Sequence, residues 1–161
     1  MDIWKAGPDV QKMLLDLIKK HHPRLLLVQD EIAVVFKEKA STPGGVTVFG
    51  KSSKAPPLLG ALTQTDWKFV ITLAADQWEH SLSETQRMAL LDHHLCSMIV
   101  EEDGDQGTIK CSIKPPEGWY REEIERWGFW RPSCDPDAPT PVEQMFGVEK
   151  DEDDDGDGDG D

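Results

Sequence analysis

Apolar residues are unevenly spread along the chain, and their spacing changes period several times. Val10, Met13, Leu14, Leu17 and Ile18 recur at helical spacing behind Pro8, so residues 9–21 read as an amphipathic helix that His22-Pro23 ends. Leu25–Val28 and Glu31–Lys39 read as extended. In the second of these, Ile32, Val34 and Phe36 alternate with Ala33, Val35 and Lys37. Ser41–Pro57 is rich in Gly, Ser, Pro and Lys and predicts a loop, with a short strand at Val46–Phe49 and an edge piece at Leu58–Leu62. Trp67–Leu73 is β-branched and aromatic, the best strand pattern of the chain. Ala74–His80 reads as a helical turn.

Ser83 followed three residues later by Gln86 is the signature of a capping box, and Arg87–Val100 continues as a mostly apolar helix. Met88, Leu91, Leu95 and Met98 share one face of it. A helix apolar on most sides belongs at the centre of a fold. An acidic turn over Glu101–Gly107 leads to a strand pattern at Thr108–Ile113, broken by Pro115-Pro116. Tyr120–Gly128 closes the pattern as a last helix, with Ile124 and Trp127 on one side and Gly128 at its end. The fold class implied is α+β: a small mixed or antiparallel sheet packed against a central helix. One domain is expected over residues 1–132 and a Pro-rich extended segment over 133–148, where Pro136, Pro139 and Pro141 recur. A disordered acidic tail is expected over 149–161.

Charge sharpens this division. The chain has 161 residues and a net charge of −14, of which the run Asp151–Asp161 alone supplies −8. Such a run repels itself and buries nothing. The acidic balance argues against direct nucleic-acid binding, which needs Lys and Arg at the phosphates. No stretch reaches the roughly 18 apolar residues of a membrane span, and the first residues lack a signal-peptide pattern. Three cysteines (Cys96, Cys111, Cys134) without a CxxC spacing fit a reducing cytoplasm. The tail, with Asp153, Asp154 and Asp155 at its centre, serves either as a solubilising run or as a contact for a basic protein surface. Lys51 and Lys54 form a small basic loop that is either merely solvated or touches a partner. Trp67, Trp78, Trp127 and Trp130 read as core; Trp4 and Trp119 are candidates for a contact surface.

The chemistry-bearing place is Leu91-Asp92-His93-His94-Leu95-Cys96-Ser97. Zinc peptidases carry His-Glu-x-x-His on a helix because histidines at i and i+4 both reach the metal, while the Glu takes a proton from metal-bound water. The chain resembles the phage metallopeptidase family, whose helix typically reads A-L-L-D-H-E-L-C-H; here it is Ala89-Leu90-Leu91-Asp92-His93-His94-Leu95-Cys96-Ser97. The resemblance includes His22-Pro23-x-Leu25, the Ile32–Phe36 and Trp67–Ile71 strands, Trp78, Leu82, Gln86-Arg87 and Ile124-x-Arg126-x-Gly128-x-Trp130. It implies a zincin-like fold and a phage or prophage origin.

The departures fall on the chemistry. His93 stands at the first ligand position, but His94 replaces the general-base Glu and Ser97 the second His ligand. Pro115-Pro116 stands where the family has a His-Asp pair. A Ser hydroxyl is a poor zinc ligand and Pro has no donor. The resulting expectation is a non-catalytic protein that binds a host protein, with no cofactor required. The alternative is a zinc peptidase with a rearranged site built on His93, with Cys96 or His94; His93 and Cys96, three apart, share one face, and Cys111 or His80 would complete a metal set. A weaker alternative is an acidic DNA mimic. No G-x-S-x-G elbow accompanies Ser97 to support a serine hydrolase. Asp92 is expected to bond locally or to a neighbouring strand, and His21-His22 to complement a helix C-terminus.

Overall fold

The computed structural model describes residues 1–105, 107–116 and 119–132. The order is β1 (Ile3–Lys5), α1 (Pro8–His21), a 3-10 turn over Pro23–Glu31, β2 (Ile32–Lys37), β3 (Gly50–Lys54), α2 (Pro57–Thr63), β4 (Phe69–Ala74), α3 (Ala75–His80), α4 (Glu84–Cys96), β5 (Met98–Asp103), β6 (Thr108–Ile113) and α5 (Arg121–Trp127). The class is α+β, as the hydropathy pattern implies. Four strands form a mixed sheet in the order β1-β2-β4-β3, and β5-β6 form a separate two-stranded sheet. The central pair β2-β4 is parallel, while β1 and β3 run antiparallel on its flanks.

The sheet is two-sided in chemistry. Ile32, Val34 and Phe36 on β2 and Phe69, Ile71 and Leu73 on β4 are buried, and the residues between them are only partly so. With a side-chain period of two, this puts one apolar face against the helices. There it meets Val10, Leu14, Leu17 and Ile18 of α1, which recur at one face of 3.6-residue turns, and Ala89, Leu91 and Leu95 of α4. Each such fully buried aliphatic side chain contributes about 1.5–3 kcal/mol. Pro8 starts α1 where its missing N–H costs nothing. The capping box of α4 forms as its sequence implies, with Gln86 N–H donating to Ser83 Oγ at 3.2 Å and Ser83 N–H to Gln86 Oε1 at 2.9 Å.

Several local expectations are corrected. Leu25–Val28 is not extended: it lies in the 3-10 turn after Pro23, where Leu25 and Val28, three apart, both reach the core. Leu58–Leu62 is not an edge strand but part of α2, which Pro57 opens. The strand expected at Val46–Phe49 forms later, at Gly50–Lys54, preceded by a single Ser41–Val48 bridge. The motif helix stops at Cys96 instead of running to Val100, because Met98–Asp103 pairs with β6. Of the four tryptophans read as core, Trp78 and Trp130 are buried, while Trp67 and Trp127 are half-buried. No described helix is long and apolar enough to cross a membrane.

Candidate functional site

Helix α4 presents two polar faces, and the structure treats them differently. On the first face Asp92 is fully buried. Its Oδ1 lies 2.5 Å from His22 Nε2. Arg126 Nε donates to Oδ2 at 2.9 Å and Nη2 to Oδ1 at 3.2 Å, while Trp127 Nε1 donates to Oδ2 at 2.9 Å. Burial pushes the Asp92 pKa up, but the hydrogen bonds from His22, Arg126 and Trp127 outweigh it and hold the carboxyl below its ordinary value. Asp92 therefore bonds to the end of α1 and to α5, not to a strand. His22 stands at the C-cap of α1 and is fully buried, with Arg24 Nη1 2.9 Å from its Nδ1. Arg24 also donates through Nη2 to the carbonyls of Leu95 at 3.0 Å and Met98 at 3.2 Å, satisfying the end of α4.

His22, Asp92 and Cys96 have donor atoms within 4.8 Å of one another, the spacing of a metal cluster. The position already holds a cation, however. Arg126 Nη2 lies 3.2 Å from Asp92 Oδ1 and 3.6 Å from Cys96 Sγ. Burial, with Asp92 and Glu122 nearby, raises the Cys96 thiol well above its ordinary value, away from the thiolate that binds metal. This cluster is a buried ion-pair network tying three helices together.

The second face carries the motif positions. His93 Nδ1 lies 2.7 Å from Glu123 Oε2, and Glu123, fully buried, takes Trp130 Nε1–H on its other oxygen at 2.8 Å. A carboxylate on Nδ1 turns Nε2 outward, which is how metal-binding histidines are commonly oriented. A guanidinium lies against the same ring: Arg131 Nη2 stands 3.4 Å from Nε2 and 3.3 Å from Nδ1. That guanidinium stacks 4.3 Å above the Trp119 ring. Tyr120 packs on His93 with ring centroids 5.2 Å apart.

His94, at the general-base position, points elsewhere. It is buried against β3, and its Nε2 has no hydrogen-bond partner. Burial, with the charges of His93 and Arg131, drives its pKa down to about 3, so it is neutral. Its ring fits only because Gly50 lacks a side chain: a Cβ there would lie 2.7 Å from His94 Nε2 and 3.0 Å from the Thr72 carbonyl. Ser97 Oγ donates to the His94 carbonyl at 2.5 Å and stands 2.9 Å from Ser52 Oγ of β3.

Of the remaining sequence candidates, His93 and Cys96 are not brought into one donor cluster among the described residues, and His80 is an exposed residue on α3. Trp4 is 42% exposed, leaning on Phe36, whereas Trp119 sits within a cluster with Phe129, Trp130 and Arg131. Asp153, Asp154 and Asp155 lie outside the described residues. Sequence reasoning missed Glu123, Arg126 and Arg131 as partners of the motif. The available signal was the 123/126/127 spacing, which puts Glu123, Arg126 and Trp127 on the side of α5 that meets α4.

Among the described residues no three donor side chains gather around His93. An arginine lies against its ring and the Ser97 hydroxyl is engaged. What the architecture defines is an α+β protein whose capped central helix carries a metallopeptidase-like motif against a mixed sheet. A family model described as "Putative phage metallopeptidase" matches residues 2–146, and the chain belongs to that family. No curated protein and no solved structure matches the chain.

Proposed function

We propose that this chain is a non-catalytic member of its family, a phage-encoded protein that acts by binding a host protein. One observation supports it most: the guanidinium of Arg131 lies against the His93 ring, 3.3 and 3.4 Å from its two nitrogens, so a fixed cation stands beside the histidine at the first ligand position. A fixed cation that close disfavours a divalent ion on the same ring. The neutral, enclosed His94 reinforces the reading, since a general base must reach a proton it abstracts. Binding is the remaining use of the scaffold, with Trp4, Trp119 and the Asp153–Asp155 run as contact regions.

The test is metal uptake by the full chain. Dialysed against zinc and analysed by mass spectrometry, it should hold no zinc that His93→Ala removes. One zinc per chain, lost in His93→Ala but kept in Cys111→Ala, would overturn the reading and restore a rearranged peptidase site.

A further inference from the structure

The sheet has a second face, turned away from the helical core. Its strand register can be read off directly. Lys5 pairs with Val35, Val35 with Thr72 and Thr72 with Lys51; one level on, Ala33 pairs with Val70 and Val70 with Ser53; on the other side Ile3 pairs with Lys37. All of these lie on the face opposite Ile32, Val34 and Phe36. One end of this face is roofed. The start of α1, α2 and Trp67 rise beside it and enclose a groove of about 1050 Å³, floored by Ala33, Val35 and Val70 and walled by Leu15, Leu59 and Trp67. That is the size of a site that takes several side chains. Asp30 lies at the groove, and Lys5 at its border with the open part of the face.

The open end is basic. Lys5 and Lys51 stand at the two edges of one row and Lys37 on the next. None of the three forms an ion pair among the described residues; Lys37 bonds only the neutral Ser41 hydroxyl. An apolar groove that runs into unpaired lysines calls for a segment that is apolar first and acidic afterwards.

The chain itself contains such a segment. Val142, Met145, Phe146 and Val148 are followed by Glu149, Lys150 and the five acids Asp151 to Asp155, of which Glu152 is one, so the segment stays net acidic. The described part ends at Pro132, beside Arg131, which touches His93; the neighbouring His94 abuts Gly50 on edge strand β3. The far face of the sheet therefore lies just around that edge. Residues 133–141 can extend about 30 Å at roughly 3.4 Å per residue, enough to round it.

We propose that residues 141–155 of this chain dock on the open sheet face, the apolar side chains of 142–148 in the groove and the acids of 149–155 on Lys5, Lys37 and Lys51. This does not depend on whether the His93 site holds metal. It makes the acidic run an internal ligand in the free protein, so a binding partner must compete with the groove for it.

The full chain tests this through zero-length carboxylate-to-amine crosslinking of the monomer, mapped by mass spectrometry. Crosslinks from residues 149–155 should concentrate on Lys5, Lys37 and Lys51, by about tenfold over Lys12, Lys19 and Lys20 on α1. They should fall several-fold in Val142→Ser/Met145→Ser/Phe146→Ser, which leaves every described residue intact, and the same variant should gain binding of an apolar fluorescent dye. Crosslinks spread evenly over all lysines, or unchanged by the triple substitution, would overturn the proposal. So would crosslinks found only in covalent dimers, which would assign the face to a second copy.

Discussion

Helix α4 buries two polar side chains, Asp92 and His94, and they differ in how completely they are satisfied. Around Asp92 every strong group has a partner: His22, Arg126 and Trp127 converge on one carboxylate, and Arg24 covers the helix end. Around His94 the same helix leaves a buried ring nitrogen with none. A buried polar group without a partner costs about 1–3 kcal/mol. The contrast is that of a carboxylate whose partners are all in place and a buried ring that lacks one. His94 packs on a glycine, Gly50 of β3.

The Asp92 frame should break hardest. Asp92→Ala leaves the Arg126 guanidinium and His22 buried without their anion, and removing one partner of a buried pair costs about 3–5 kcal/mol. Urea unfolding should show this as a fall in midpoint with little change in slope, and Asp92→Asn should retain part of the loss as hydrogen bonds. If Asp92→Ala lies within 1 kcal/mol of the parent, the network does not hold α1, α4 and α5 together. The site face should give less. Gly50→Ala inserts a Cβ against His94 Nε2 and the Thr72 carbonyl, an overpacking worth about 1–3 kcal/mol. Because the clash is with the His94 ring, His94→Ala should restore part of it in a double-mutant cycle; strictly additive losses would show that the two residues do not share the space.

The difference between the faces also explains what the sequence could disclose. Periodicity and capping located α1, β2, β4 and α4 because each is set by local spacing: Val10-Leu14-Leu17-Ile18, the alternation from Ile32 to Phe36, and Ser83 with Gln86. The order β1-β2-β4-β3 is not local, and neither is the pairing of Asp92 with His22 and Arg126, separated by 70 and 34 positions. The motif helix drew attention to His93, but Arg131, which lies against its ring, stands 38 positions away, beyond the reach of any local spacing. Leu58–Leu62 was misread for another reason. A short apolar run has no period to distinguish strand from helix, and Pro57 at a first helical turn was the better guide.

The smallest effect is the most diagnostic of the site face. His94 is held neutral to a pKa of about 3, against an ordinary value of 6.5 in the unfolded chain. Between those values the unfolded state binds the extra proton, so folding stability is intact above about pH 6.5 and falls as pH drops below it. The slope for one such group is about 1.4 kcal/mol per pH unit. His21, whose pKa burial also lowers, acts in the same direction, so the comparison must be between parent and His94→Gln instead of against theory. Asp92 contributes separately: its depressed carboxyl loses stability only as pH falls below the ordinary carboxylate value. Unfolding midpoints measured from pH 7.5 to 5 should thus fall more steeply in the parent than in His94→Gln, by close to one proton. Parallel curves would mean that the His94 ring gains a proton partner in solution. The enclosed, neutral ring that supports a non-catalytic reading would then have to be given up, while the Asp92 frame would stand unchanged.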